Sequence, residues 1–213
     1  MNAMPASRSR LNVIPRNPGA RSRTILCALL GMVWFVQPAM AHSVLSPQNS
    51  LLSGIAHPLG GLDHLLAMLA IGLWAAQLGG RAIWQLPAAF LALMAVGGGI
   101  GIAGVALPGV EFMIVLSVLL LGALIACAAR FPLLSGLGVV AVFALFHGHA
   151  HGAEMGASLS AVGYGTGFML ASALLHLAGI ALGVASTRLG QTPWLRVAGC
   201  LIALCGLGLF ILA

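Results

Sequence analysis

Apolar stretches recur along the chain after residue 41, each close to the length at which a helix crosses a lipid bilayer. Short polar or helix-breaking segments separate them, such as "LPG", "RFP" and "RLGQTP". No separating segment is long enough to imply a second domain. The pattern predicts an all-α membrane protein, a bundle of six transmembrane helices over residues 51–78, 83–107, 110–129, 132–150, 157–186 and 193–212.

The beginning of the chain has a different pattern. An arginine-rich start is followed by the apolar run "TILCALLGMVWFV" and then by "QPAMA". The small residues Ala39 and Ala41 fit the site at which signal peptides are cut. We therefore expect a signal peptide at 1–41, cleaved after Ala41, and one membrane domain at 42–213. The alternative is an uncleaved first transmembrane helix.

The charged residues between the spans predict the orientation. A cleaved signal leaves the mature N-terminus outside, so the loops after the first, third and fifth spans face the cytoplasm. The arginines after residue 41 fall in or beside these loops: Arg81, Arg130, Arg188 and Arg196. Arginine favours cytoplasmic loops, whereas Glu111 and Glu154 fall on the other side. We expect both mature termini to lie outside the cytoplasm.

Composition excludes several classes of protein. The chain is 61% hydrophobic and 6% charged, and its mean hydropathy is +1.09. Its pI near 10.6 comes from arginines with no basic cluster after the signal region, so no nucleic-acid partner is expected. Without a lysine the chain has no ATPase phosphate loop, and without CxxC or CxxCH it has no zinc ribbon or attached c-type haem. Glycines four residues apart predict close packing of helices. Such packing can occur within one chain or between copies of it, so a homo-oligomer is possible.

A first polar cluster lies in the stretch "HPLGGLDHLLAM", residues 57–68. On one continuous helix, His57 and His64 would share a face, which Met68 continues. Asp63 would lie near the middle of the first span, where a carboxylate costs on the order of 3 kcal/mol. A bound cation would offset that cost, and the "PLGG" segment weakens the helix beside it. The alternative is an Asp–His pair that only joins helices.

A second polar cluster is "FHGHAHGAE", residues 146–154, at the outer end of the fourth span. If this stretch is helical, His147, His151 and Glu154 share a face and His149 points away. If it is extended, His147, His149 and His151 line up instead. Both clusters reach a similar depth on the same side of the membrane, so they can form one site. Imidazole with carboxylate suits nickel, cobalt, zinc or iron(II).

Four further residues are candidates for a secondary metal relay. Met68 ends the first stretch, His149 lies within the second, and His42 would be the mature N-terminus. His176 stands alone in the fifth span. It fits a hydrogen-bonded residue of the bundle as well as it fits a relay station.

These two stretches resemble the signatures of the HupE/UreJ family. The family's HPxxGxDH pattern falls on His57, Pro58, Gly61, Asp63 and His64. Its HGxAHGxE pattern falls on His147, Gly148, Ala150, His151, Gly152 and Glu154. The resemblance extends over the whole chain. It implies a small bacterial membrane protein of hydrogenase or urease gene clusters, of a kind regarded as nickel or cobalt permeases.

The expected function is therefore that of a secondary transporter, not an enzyme. It would carry a divalent metal ion, nickel or else cobalt, from periplasm to cytoplasm for metalloenzyme maturation, with no permanently bound cofactor. The expected metal ligands are His57, Asp63, His64, His147, His151 and Glu154. Two alternatives are an electron-transfer protein with haem between intramembrane histidines and a membrane metalloenzyme, although no HExxH motif is present.

Overall fold

The structure is a computed structural model that describes residues 50–155, 159–190 and 192–212. Seven helices and no strand lie in these residues. They are α1 Ser50–Gly60, α2 Leu62–Leu78, α3 Ala82–Ile102, α4 Val110–Ala126, α5 Leu133–Ala153, α6 Ala161–Arg188 and α7 Thr192–Leu212. The all-α class is confirmed for this part of the chain. The predicted signal peptide and His42 lie outside it.

The helix is interrupted between α1 and α2, and the axes of the two helices meet at an angle of 82°. Pro58 lies inside α1 and Gly61 is extended, with φ −99° and ψ 120°. Proline lacks the amide hydrogen that a continuing helix needs, and its ring crowds the preceding turn. The expectation that His57 and His64 share one helical face is therefore wrong, because they belong to different helices. Asp63 lies in the first turn of α2, next to the break in the bent pair.

Four helices are long and apolar enough to cross a membrane, namely α3, α5, α6 and α7. The bent pair α1–α2 makes a fifth span if it is counted as one, and α4 is apolar but has only 17 residues. The chain is thus a multi-pass membrane protein, while the count of six spans stays a prediction. Two helix ends differ from expectation, because α3 ends at Ile102 and α5 continues to Ala153.

Glycines bring the backbones of α3 and α5 into direct contact. A Cβ at Gly148 would collide with the carbonyl oxygen of Met94, and one at Gly152 with that of Gly98. On the facing helix, a Cβ at Gly101 would collide with the carbonyl oxygen of His149. Small residues let membrane helices approach in this way. The contact holds the last turns of α5 against α3 and leaves the other face of α5 free to meet α2.

Candidate metal site

His64, in the first turn of α2, lies between two histidines of α5. Its Nε2 is 2.8 Å from Nδ1 of His147, and it also contacts Nε2 of His151. The ring centroids are 4.4 Å apart for His64 and His147 and 3.9 Å apart for His64 and His151. His147 and His151 are one helical turn apart on α5, so a single face of that helix supplies both rings.

Ser117, in the middle of α4, determines which nitrogen of His147 faces His64. Its hydroxyl donates to the carbonyl oxygen of Ile114 at 2.6 Å, so it has only lone pairs left for His147. The Nε2–H of His147 therefore donates to Ser117 Oγ at 2.8 Å. The Nδ1 of His147 then carries a lone pair directed at His64. Partners of this kind orient the histidines of metal sites.

Asp63 orients the ring of His64, as Ser117 orients that of His147. Its Oδ1 accepts the backbone N–H of His64 at 2.8 Å and lies 3.3 Å from the Nδ1 of the same residue. With its proton on Nδ1, His64 presents the lone pair of Nε2 to His147. Two lone pairs would then face each other, which requires a cation between them. Without a cation, the other tautomer of His64 donates Nε2–H to His147.

A second group of ligands lies on the outer side of His151. One nitrogen or oxygen each from His57, His151 and Glu154 can be chosen so that all three lie within 4.8 Å of one another. Nε2 of His57 is 3.9 Å from Oε2 of Glu154, and these side chains are 38% and 57% exposed. Partial burial raises the pKa of the Glu154 carboxyl, and repulsion from Glu111 adds to this increase. A cation held here would relieve that repulsion.

Aromatic rings enclose the cluster. The ring of Phe168 in α6 lies 4.3 Å from that of His151, and the ring of Tyr164 lies 5.8 Å from that of His57. Phe90 in α3 lies 5.8 Å from His147. These rings shield the inner histidines from water. His147 is fully buried, whereas His57 is partly exposed.

The structure brings together the side chains expected as ligands and separates the others from them. One connected cluster contains His57, Asp63, His64, His147, His151 and Glu154. His149 points away, and its Nε2–H donates to the carbonyl oxygen of Val105 at 2.7 Å. Met68 is buried in the hydrophobic core. His176 is buried behind Phe90.

Sequence analysis missed the residues that position the histidines. The sequence could have indicated Ser117, because it is the only residue of α4 with a hydroxyl group. A polar group in an apolar span needs a partner. Phe90 and Phe168 gave no signal. Aromatic residues in apolar spans are ordinary, and only the packing places these two against the rings of the cluster.

Apolar helices around a partly buried cluster of imidazoles and carboxylates define a multi-pass membrane protein with a polar centre. The family model described as HupE / UreJ protein matches residues 30–209. The chain is also 45% identical over 177 residues to Protein HupE of Rhizobium leguminosarum bv. viciae, which covers 82% of this chain and 92% of that relative. No solved structure matches the chain at a significant level. The chain belongs to the HupE/UreJ family.

Proposed function

We propose that the protein is a secondary transporter that moves a divalent transition metal ion from the periplasm into the cytoplasm. Nickel is the proposed substrate, with cobalt as the alternative, and the delivered metal would serve the maturation of a metalloenzyme such as hydrogenase or urease. One observation carries the proposal. The ligands form an unbroken series from the exposed side chains of His57 and Glu154 to the fully buried His147.

The series has two halves that share a residue. His57, Glu154 and His151 form the outer group, and His151 also contacts His64, which contacts His147. Two nitrogens bound side by side to one ion at about 2.1 Å each lie about 3 Å apart. The 2.8 Å between His64 and His147 approaches this value, so the rings need only a small shift to accept the ion.

Sharing of His151 favours movement over storage. An ion can exchange the ligands of the outer group for those of the inner one without losing all of its protein ligands at any step. Conduction requires binding that is strong enough to draw the ion in and weak enough to release it. A series of overlapping sites, each with few ligands, meets both requirements.

Asp63 has two tasks in this scheme. It keeps a negative charge beside the cluster, and it accepts the Nδ1–H of His64 when the Nε2 of that ring turns to the metal. Its place in the first turn of α2 suits the charge, because helix N-termini stabilise anions. The carboxylate therefore does not need a bound ion to be tolerated, but it attracts one.

The membrane potential can drive the transport. Two positive charges that cross 100 mV gain about 4.6 kcal/mol, which corresponds to roughly three orders of magnitude of accumulation. No ATPase partner is needed for a gradient of this size.

The geometry favours a small ion over a porphyrin. A haem iron with two imidazole ligands holds them on opposite faces of the macrocycle. The rings of His64 and His151 instead contact each other, with centroids 3.9 Å apart. A haem between these histidines would require the helices that carry them to separate.

The test is transport by the purified protein in liposomes with an inside-negative potential. We expect radiolabelled nickel to accumulate, cobalt to compete with it, and the His64→Ala variant to lose at least tenfold in initial rate. The His149→Ala variant serves as a control, because it loses a histidine that faces away from the cluster. Absence of nickel and cobalt flux in active liposomes would contradict the proposal. Metal that stays bound through dialysis, without flux, would instead favour the metalloenzyme.

A further inference from the structure

His176 in α6 is a buried histidine that the packing does not explain. It is only 1% exposed, and neither of its ring nitrogens has a hydrogen-bond partner among the described residues. The hydroxyl of Ser172, one helical turn earlier, is also buried without a partner in that part of the chain. A buried polar group without a partner costs about 1–3 kcal/mol. Two such side chains on one face point to a ligand.

His176 lies on the same face of α6 as a residue that contacts the six-residue cluster of candidate ligands. That whole cluster is called the outer cluster below. Phe168, Ser172 and His176 follow at intervals of four residues, so they share a face of α6. Phe168 contacts His151 in the cluster, and His176 lies about 12 Å further along the helix. The same face of α6 thus leads from the cluster towards the other end of the bundle.

One side chain contacts both places. The ring centroid of Phe90 lies 5.8 Å from that of His147 and 5.3 Å from that of His176. Phe90 itself is fully buried. An apolar ring between two polar places is a barrier to a hydrated ion, and such constrictions act as gates in channels.

We propose that His176 and Ser172 form an inner binding station for the divalent metal ion, and that Phe90 is the gate between this station and the outer cluster. The proposal rests on the transport function proposed above. An imidazole and a hydroxyl supply only two ligands, and water completes the coordination. The station therefore binds more weakly than the outer cluster and releases the ion towards the cytoplasm.

The alternative role of His176 is that of a hydrogen-bonded residue of the bundle. That role needs a partner for the ring, and none is present among the described residues. It also leaves the unpartnered hydroxyl of Ser172 unexplained. A station on the metal's path accounts for both groups together.

The first measurement is binding of nickel alone by equilibrium dialysis of the full-length protein in detergent. We expect wild type to bind one ion more than His176→Ala, with the tighter binding of the outer cluster unchanged within twofold. Leu175→Ala is the matched control, because it truncates a buried side chain of the same helix and should keep the wild-type number. Equal numbers in wild type and His176→Ala, or loss of the tighter binding in His176→Ala, would overturn the proposal.

The second measurement is nickel flux in liposomes. We expect His176→Ala to lower the initial rate at least tenfold and Leu175→Ala to change it less than twofold. Phe90→Ala opens the gate, so the double variant Phe90→Ala/His176→Ala should recover at least threefold over His176→Ala alone. A double variant no faster than His176→Ala would overturn the gate. If wild type shows no flux, the transport function fails, whereas the number of bound ions still decides whether the inner station exists.

Discussion

His151 contributes a side chain to both halves of the candidate site. It belongs to the outer group with His57 and Glu154, and it contacts His64 in the inner one. On the proposed path of the ion, loss of His151 would therefore interrupt transport and not merely weaken one site. The spacing of the sequence motif predicted that His151 faces the same way as His147. It could not show that His64 lies against them, since that contact depends on the angle between α1 and α2.

Asp63→Asn tests the charge of this residue. Asparagine keeps the shape and can still accept the backbone N–H of His64, so the start of α2 should persist. It removes the negative charge that attracts a cation. We expect nickel uptake by cells that lack other importers to be abolished, with the protein still present in the membrane. Near-normal uptake by the variant at normal abundance would show that Asp63 only holds His64 at the start of α2 and that its charge is not needed.

The histidines of α5 should differ sharply from one another. His149→Ala loses a hydrogen bond to Val105 but no group of the cluster, so it should keep more than half of wild-type uptake. His147→Ala, His151→Ala and Glu154→Gln should each lose at least tenfold. Radiolabelled nickel uptake, corrected for the amount of protein in the membrane, measures the difference. The opposite pattern, with His149 essential and Glu154 dispensable, would contradict the helical geometry.

At the scale of elements, the sequence predicted which helices form better than where they end. The "PLGG" segment predicted a weak point, and the chain breaks there. The 82° angle was not predictable, because it results from packing of α1 and α2 against α6. The glycine strip of α5 was predictable from its four-residue spacing. The role of Ser117 was not, because nothing in the sequence says which histidine a hydroxyl of another helix will meet.

Two glycines of α5 allow a matched test of helix packing. Gly148→Ala places a methyl group against the backbone of Met94, and the helices must separate to accept it. We expect a loss of about 1–3 kcal/mol of stability. Gly138→Ala is the control, because a Cβ there has no neighbour within 4 Å and alanine favours a helix. Thermal unfolding in detergent should show a lower midpoint for Gly148→Ala only. Equal midpoints would contradict close packing of α3 and α5.

At the scale of the whole molecule, the charges separate along the bundle. Arg196 donates to the carbonyl oxygen of Ala126 at 2.9 Å, which places the start of α7 beside the end of α4. Glu111, in the first turn of α4, lies at the opposite end of that helix, and its charge adds to the raised pKa of the Glu154 carboxyl. This separation is what the positive-inside rule requires of a membrane protein. The orientation that the arginine positions predict stays a prediction.

The orientation can be measured directly. We expect the signal peptide to be cleaved after Ala41 and both mature termini to lie in the periplasm. Mass spectrometry of the purified protein should therefore find a chain that begins at His42, and a tag at the C-terminus should be labelled from the periplasm. A mass that includes residues 1–41 would contradict cleavage. A tag that is labelled only from the cytoplasm would contradict the orientation.

The glycines and histidines of α5 alternate in a way that restricts how this segment can change. His147 and Gly148 are neighbours, as are His151 and Gly152, so the face that binds and the face that packs are about 100° apart. Deletion or insertion of one residue before His147 would rotate both faces together. An insertion would turn the histidines towards the backbone of α3 and the glycines away from it, whereas a deletion would turn the glycines towards His64 and the histidines away from it. The segment should therefore tolerate the single substitution His149→Ala far better than any change of length.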